Sequence, residues 1–405
     1  MLKLWIYFLF LITFGGQPVF AQNQLLSKNI SFAFNSKKFL GLQNGLRSFD
    51  KGMSKLNIKY DMGNTVSQLA FSYDGHNNFI LDGSYLQYTS DILTFGVGSI
   101  DRHWSFSDNT SLILSKNARP IKSIYLKLEN RFNHYLLPSE ASWSFETFNG
   151  FTEGSLNNSS SMILGARATL TPILGLDFEL IQTSQWGGKG QSTGISALGS
   201  ALFLDSNAGS NSNINKMAGF GISYTFPTKL MPLRIYGQAI GEDEAGNLPS
   251  CFAYLAGIEW KNIKIKYPTT VGIEAVDTRI NRTTHGYCGP NTFYNNNTYD
   301  YTNYGDTMGA TVDTEGKSLE FFGKSQISQN IDIKYSTKLV TINDKNWVNH
   351  RLSLKRQSGL INSLGFSWVK NNITFNGDIY SQNLSLKKAN INSGYGVNFS
   401  SSIKF

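Results

Sequence analysis

Charge is scarce in this chain: Asp, Glu, Lys and Arg make up only 16% of its 405 residues, against roughly 25% in typical soluble domains. No stretch reaches 18 consecutive apolar residues, which excludes membrane-spanning helices. Periodicity of the 3.6-residue kind is nearly absent, so a helical protein is excluded as well. Cysteine is limited to Cys251 and Cys288. Two thiols with no histidine cluster beside them do not make a tetrahedral metal site. The sequence has no G-x-S-x-G and no H-E-x-x-H, so the usual serine-hydrolase and zinc-protease signatures are missing. No metal and no cofactor is expected.

What is present begins with MLK, the apolar run LWIYFLFLITF (4–14) and GGQPVFA. A basic start, a short apolar run and small residues before a cut after Ala21 have the layout of a secretory signal peptide. The expected division is a signal peptide over 1–21 and a single exported domain over 22–405. Export permits a disulfide between Cys251 and Cys288, with two unpaired thiols as the alternative. The formal charge of +8 favours acidic partners. Nucleic acid is not an expected partner outside the cell, which leaves acidic glycans or lipids.

The chain holds 19 Tyr, 28 Phe and 38 Gly, and period-2 segments run throughout it. In IDIKYSTKL, Ile331, Ile333, Tyr335, Thr337 and Leu339 share one face, and Asp332, Lys334, Ser336 and Lys338 the other. The chain ends YGVNFSSSIKF, with Tyr395, Val397, Phe399, Ile403 and Phe405 on one face. A β-sandwich hides its apolar face in a core, whereas a membrane barrel turns it to lipid and keeps a polar lumen. Charges recurring on one face, aromatics near strand ends and the terminal Phe favour the barrel. Eighteen segments can be marked, from 29–35 to 394–405. The connections after odd strands are then 102–120, 149–160, 185–215, 242–250, 276–317, 343–360 and 384–393, nearly all long. Those after even strands, such as PIL, KN and KNN, are short. Long loops outside and short turns inside suit such a barrel. This reading places HRLSLKR (350–356) in a loop despite its alternation.

The motifs SIDRHW (99–104), SLILSKNARP (111–120), SQWGG (184–188), YGQAIGEDEAGNLPS (236–250) and AYLAGIEW (253–260) occur in that order. Together they resemble the Wzi family of outer-membrane capsule-assembly proteins, from about residue 29 to the C-terminus. The resemblance implies an all-β, closed antiparallel transmembrane barrel of about 18 strands, integral to the bacterial outer membrane. It also implies a lectin-like, non-enzymatic role in attaching or organising capsular polysaccharide or exopolysaccharide. The partners expected of such a barrel are that polysaccharide, outer-membrane lipid and, during biogenesis, the barrel assembly machinery, the chain itself being a monomer. Family members often carry a helical periplasmic segment before the barrel, whereas here only NQLLSK separates the cleavage site from the first strand.

The apolar centre of DNTSLILSKNARP (108–120) is badly placed in water. It makes sense folded inward as a plug, with Leu112, Ile113 and Leu114 packed on the wall, and Asn117 and Arg119 holding polar partners. Arg119 suits a carboxylate, and the acidic run Glu242, Asp243 and Glu244 on another outward loop is the expected partner, with direct ligand contact as the alternative. A calcium reading of that run matches no defined loop motif. For sugar contact, the candidates are Trp186, set among glycines that leave its ring accessible, with Arg102, Trp104, Lys189 and Tyr287. Gln185 and the other tyrosines of 287–304 offer further hydrogen bonds. An ion pair and an interfacial Trp are the structural alternative for Arg102 and Trp104. The rival functions are a diffusion porin and an outer-membrane hydrolase built on His103 with Ser107 or Ser111.

Overall fold

The computed structural model describes residues 25–41, 53–73, 79–131, 141–153, 160–203, 214–227, 233–245, 248–264, 266–280, 288–296 and 298–405. Eighteen staves form one antiparallel sheet. They are β1 Leu25–Asn35, β2 Met53–Asp61, β3 Thr65–Tyr73, β4 in two pieces (Phe79–Ile80 and Tyr85–Thr89), β5 Leu93–Ser99, β6 Lys122–Arg131, β7 Ser142–Phe151, β8 Met162–Ile173 and β9 Leu176–Trp186. After a helix α1 (Ile195–Phe203) come β10 Asn215–Thr225, β11 Leu233–Ala245, β12 Leu248–Lys264, β13 Pro268–Asp277, β14 Lys317–Ser328, β15 Ile331–Ile342, β16 Gln357–Lys370, β17 Ile373–Gln382 and β18 Gly394–Lys404. Each stave pairs with the next, and β18 returns to β1 with Ile30 opposite Ile403 and Phe34 opposite Phe399. Closure leaves no edge strand, which is the condition for a sheet in hydrocarbon.

Burial follows the period-2 pattern in an order opposite to that of a soluble protein. On β9, Glu179 is 2% exposed and its neighbour Leu180 is 66% exposed. On β1, Ile30, Phe32 and Phe34 are all exposed. On β15, Tyr335 and Leu339 face out, while Lys338 reaches Glu320 of β14 at 2.8 Å in the interior. Arg167 pairs with Glu179 at 2.6 Å and Arg234 with Glu259 at 3.3 Å. Charged pairs gathered inside and apolar side chains outside suit a wall standing in lipid around a polar lumen.

Of the boundaries that differ from the sequence reading, two bear on the site. The segment expected as one strand over 78–90 is interrupted. There Ser84 donates to the Ala70 carbonyl at 3.0 Å and accepts the Ala70 amide at 2.9 Å, standing in for the ladder. The gap frees Asp82 for a partner from a loop. The connection expected over 242–250 is instead mostly strand, since β11 runs to Ala245 and β12 starts at Leu248. The signal-peptide segment 1–21 lies outside the described residues.

Candidate functional site at the outer mouth

The long connections gather at one end of the barrel. The segment between β5 and β6 does not extend outward: Leu112, Ile113 and Leu114 are buried among lumen-facing side chains. Burying three such side chains is worth roughly 1.5–3 kcal/mol each. The wall grips the segment through its backbone. Gln238 of β11 accepts the Leu112 amide and donates to the Trp104 carbonyl, both at 2.8 Å, and donates to Glu179 at 3.0 Å. The Ser107 hydroxyl donates to Glu274 of β13, and Arg234 donates to the Phe106 carbonyl.

A second segment, between β13 and β14, folds onto the first. Tyr294 donates through its hydroxyl to the Leu112 carbonyl at 2.5 Å and accepts the Ala310 amide at 2.9 Å. Ser115 donates to Gly309 at 2.6 Å, and Asn117 donates to the Thr307 carbonyl at 2.8 Å. Gly309 lies so close to the Tyr294 ring and the Leu112 carbonyl that no Cβ fits there. A third connection, 343–356, locks the second. Arg351 pairs with Asp313 through two hydrogen bonds and donates to the Tyr294 carbonyl at 3.2 Å. Burial alone would raise the Asp313 carboxyl, but the Arg351 guanidinium beside it holds it below the ordinary carboxylate range. Cys251 and Cys288 are joined, with Cα atoms 5.4 Å apart, tying the second segment to the start of β12.

Several residues named from the sequence take other places. Arg119 does not brace the acidic run. It pairs with Asp82 in the β4 gap at 2.7 and 3.1 Å and lies over the Tyr304 ring at 3.7 Å. Glu242 is an inward strand residue that accepts the Tyr294 amide at 2.9 Å. Asp243 and Glu244 also lie on β11, and their side chains are outside the described residues, as is Tyr287. Trp186 is not accessible among its glycines. It is 4% exposed, packed with Leu164, Ala201 and Ile214 beneath α1. Sequence spacing showed the glycines and gave no sign of the helix that covers the ring. Arg102 and Trp104 are buried too: Arg102 lies 4.0 Å over the Phe148 ring and 3.3 Å from Glu146, and Trp104 meets Phe148 edge-on. The ion pair and the aromatic contact lie inside the barrel rather than at a rim. Gln185, Tyr294, Tyr299 and Tyr301 are likewise buried. Among the described residues, Lys189 alone of the named sugar contacts is exposed.

The histidine and serines of the hydrolase reading do not form a nucleophile–base pair. His103 Nε2 lies 2.7 Å from the Ser107 carbonyl and donates to it, while the Ser107 and Ser111 hydroxyls donate to Glu274 and to the Trp104 carbonyl. Burial lowers the His103 pKa.

The sequence reading missed the outward surface of the third and last connections. Lys345, Lys355, Arg356, Lys387 and Lys388 are exposed there, beside the half-buried Trp347. Segments 343–356 and 383–393 contain one acid between them, Asp344. It is largely buried and bridges Arg279 and Arg356, each at 3.4 Å. The adjacent pairs Lys355-Arg356 and Lys387-Lys388 were the available signal.

Comparison with known proteins agrees with this architecture. A structure of Wzi from Escherichia coli, described as an outer-membrane protein involved in group 1 capsule assembly and a carbohydrate-binding β-barrel, superposes with a TM-score of 0.77. The superposition covers 93% of this chain and 84% of that one, at 21% identity. OccD3 (OpdP) of Pseudomonas aeruginosa shares the fold more loosely, with a TM-score of 0.55 and 9% identity over 96% of this chain and 93% of that one. An uncharacterized 55.8 kDa protein in the cps region of Klebsiella pneumoniae is 29% identical over 215 residues, which are 51% of this chain and 42% of that relative. The family model for the capsule assembly protein Wzi matches residues 30–383. With the eighteen-strand barrel, that match establishes that the chain belongs to the Wzi capsule-assembly family and is a barrel of the bacterial outer membrane.

Proposed function

We propose that this barrel binds an acidic capsular or extracellular polysaccharide at its outward face and helps retain it at the cell surface, without chemical turnover. The observation that carries this reading is the interlocking of three inward-folded connections through the buried Leu112 and Tyr294 and the largely shielded Arg351. Such packing opposes free diffusion and offers a fixed platform. The exposed cations of 343–356 and 383–393 supply the charge. The carbohydrate binding described for the Escherichia coli neighbour supports the same direction. Each cation contributes little alone at an exposed site. A repeating polymer engages many of them at once, so avidity supplies the hold. The barrel acts as a monomer.

The test replaces Lys345, Lys355, Arg356, Lys387 and Lys388 together with Gln and measures binding to an acidic and a neutral polysaccharide. Acidic binding falls by at least about tenfold and weakens with salt in the parent, while the neutral polymer shows no change. Undiminished acidic binding by the variant overturns the proposal, as does a normal cell-bound glycan layer in a strain lacking the gene.

A further inference from the structure

The outer wall of β12–β16 carries a hollow of about 720 Å³ close to the mouth. Its shape follows from register. One transverse row on the lipid-facing side reads Ala256, Ala275, Leu319, Leu339, Leu360 across five paired strands. The row two residues nearer the mouth reads Tyr254, Asp277, Lys317, Thr341, Ser358. The paired alanines leave a depression, and the leucines form its floor and far wall. Above it, at the level where strands end and loops begin, the surface becomes polar.

Charge in that upper row is not balanced. Both Asp277 oxygens are taken by Arg279, through hydrogen bonds of 2.8 and 2.5 Å. Asp344 is likewise shared between Arg279 and Arg356. Lys317, opposite Asp277 in the ladder, has no carboxylate within salt-bridge distance among the described residues. A second hollow on the wall, about 320 Å³ between Leu364, Phe366, Ile379 and Phe399, is lined by no cation. Acyl-chain packing accounts for the second hollow alone. The first adds an unpaired ammonium at headgroup depth.

We infer that this hollow is a binding site for an outer-leaflet lipid with a phosphorylated headgroup, one acyl chain lying over Ala256 and Ala275 and the phosphate meeting Lys317. A lysine beside an anionic headgroup gains an ion pair that water screens less at the interface. A chain in the hollow fills contacts the small side chains leave open. The inference does not depend on the polysaccharide reading.

The test uses the full barrel in detergent, incubated with a phosphatidic acid or with a diacylglycerol carrying the same chains, and native mass spectrometry counts the lipid retained. Lys317→Gln lowers retention of the phosphatidic acid about fivefold, the ratio for one basic residue at an anionic surface, and leaves the diacylglycerol unchanged. Ala275→Phe, which fills the hollow, lowers both. Heat-dependent gel mobility confirms that each variant is a folded barrel. Equal retention of the phosphatidic acid by parent and both variants overturns the site. Equal losses of the two lipids with Lys317→Gln also overturn it, because the headgroup then plays no part.

Discussion

Gln238 of β11 holds Leu112 by its backbone amide at 2.8 Å, and the same side chain carries the Trp104 carbonyl at 2.8 Å. One wall residue thus fixes both ends of the turn that delivers Leu112, Ile113 and Leu114 to the interior. Gln238→Leu keeps the volume and strands a buried amide and a buried carbonyl, at about 1–3 kcal/mol each. The expected outcome is faster proteolysis within 102–120 and a barrel that still migrates as folded on an unheated gel.

Removing 104–118 removes most of the inward-folded segment between β5 and β6. An eighteen-strand barrel is wide enough for solutes once emptied. In planar bilayers the deletion shows a large steady current and the parent shows little. A large steady current in the parent contradicts closure.

His350 gives the cap a pH dependence. Its Nε2 donates to the Thr314 carbonyl at 2.9 Å, and its Nδ1 accepts the Leu352 amide at 3.1 Å, so the ring is neutral in the folded cap. Burial lowers its pKa, opposed by Asp313. A proton on Nδ1 would remove the Leu352 bond. With the folded pKa below the unfolded value, stability is full above about pH 6.5 and falls as pH drops toward the folded pKa, by at most about 1.4 kcal/mol per unit. Protection factors at 343–356, which correct the exchange rates for their intrinsic pH dependence, fall as pH drops from about 7.5 to about 5.5, and His350→Gln flattens that fall.

Arg119 and Asp82 form a two-bond pair, each largely shielded, with Tyr304 beneath the guanidinium. Arg119→Ala costs about 1.5–3 kcal/mol, as for hydrogen bonds to charged groups. Asp82→Asn costs less, because its amide oxygen still accepts. In a double-mutant cycle the two changes are strongly non-additive. Additive effects indicate that the pair is not formed.

The bond between Cys251 and Cys288 closes a sequence separation of 37 residues. A loop of that length corresponds to roughly 3–4 kcal/mol of unfolded-chain entropy. Cys251→Ser, or a thiol reductant, increases protease access to 288–316 and lowers the thermal transition, since the constraint on the unfolded chain is lost.

The wall was legible because alternation is a local signal. IDIKYSTKL displays its two faces in nine letters, and β15 reproduces them with Tyr335 outside and Lys338 inside. The inward fold of SLILSKNARP was legible for the same reason, since three adjacent apolar residues in a polar stretch need cover. Partners were not legible. Asp82 reaches Arg119 only because β4 breaks at Ser84, and nothing local announces the break. Trp186 misled because glycines on one side say nothing about a helix arriving from the other. The exposed lysines escaped notice because single cations in a loop look alike until strand pairing sets two loops side by side.

The contact between Ser115 and Gly309 spans 194 positions of sequence. The earlier segment is therefore held by chain encoded far downstream, and a chain that stops short of Gly309 cannot make this contact.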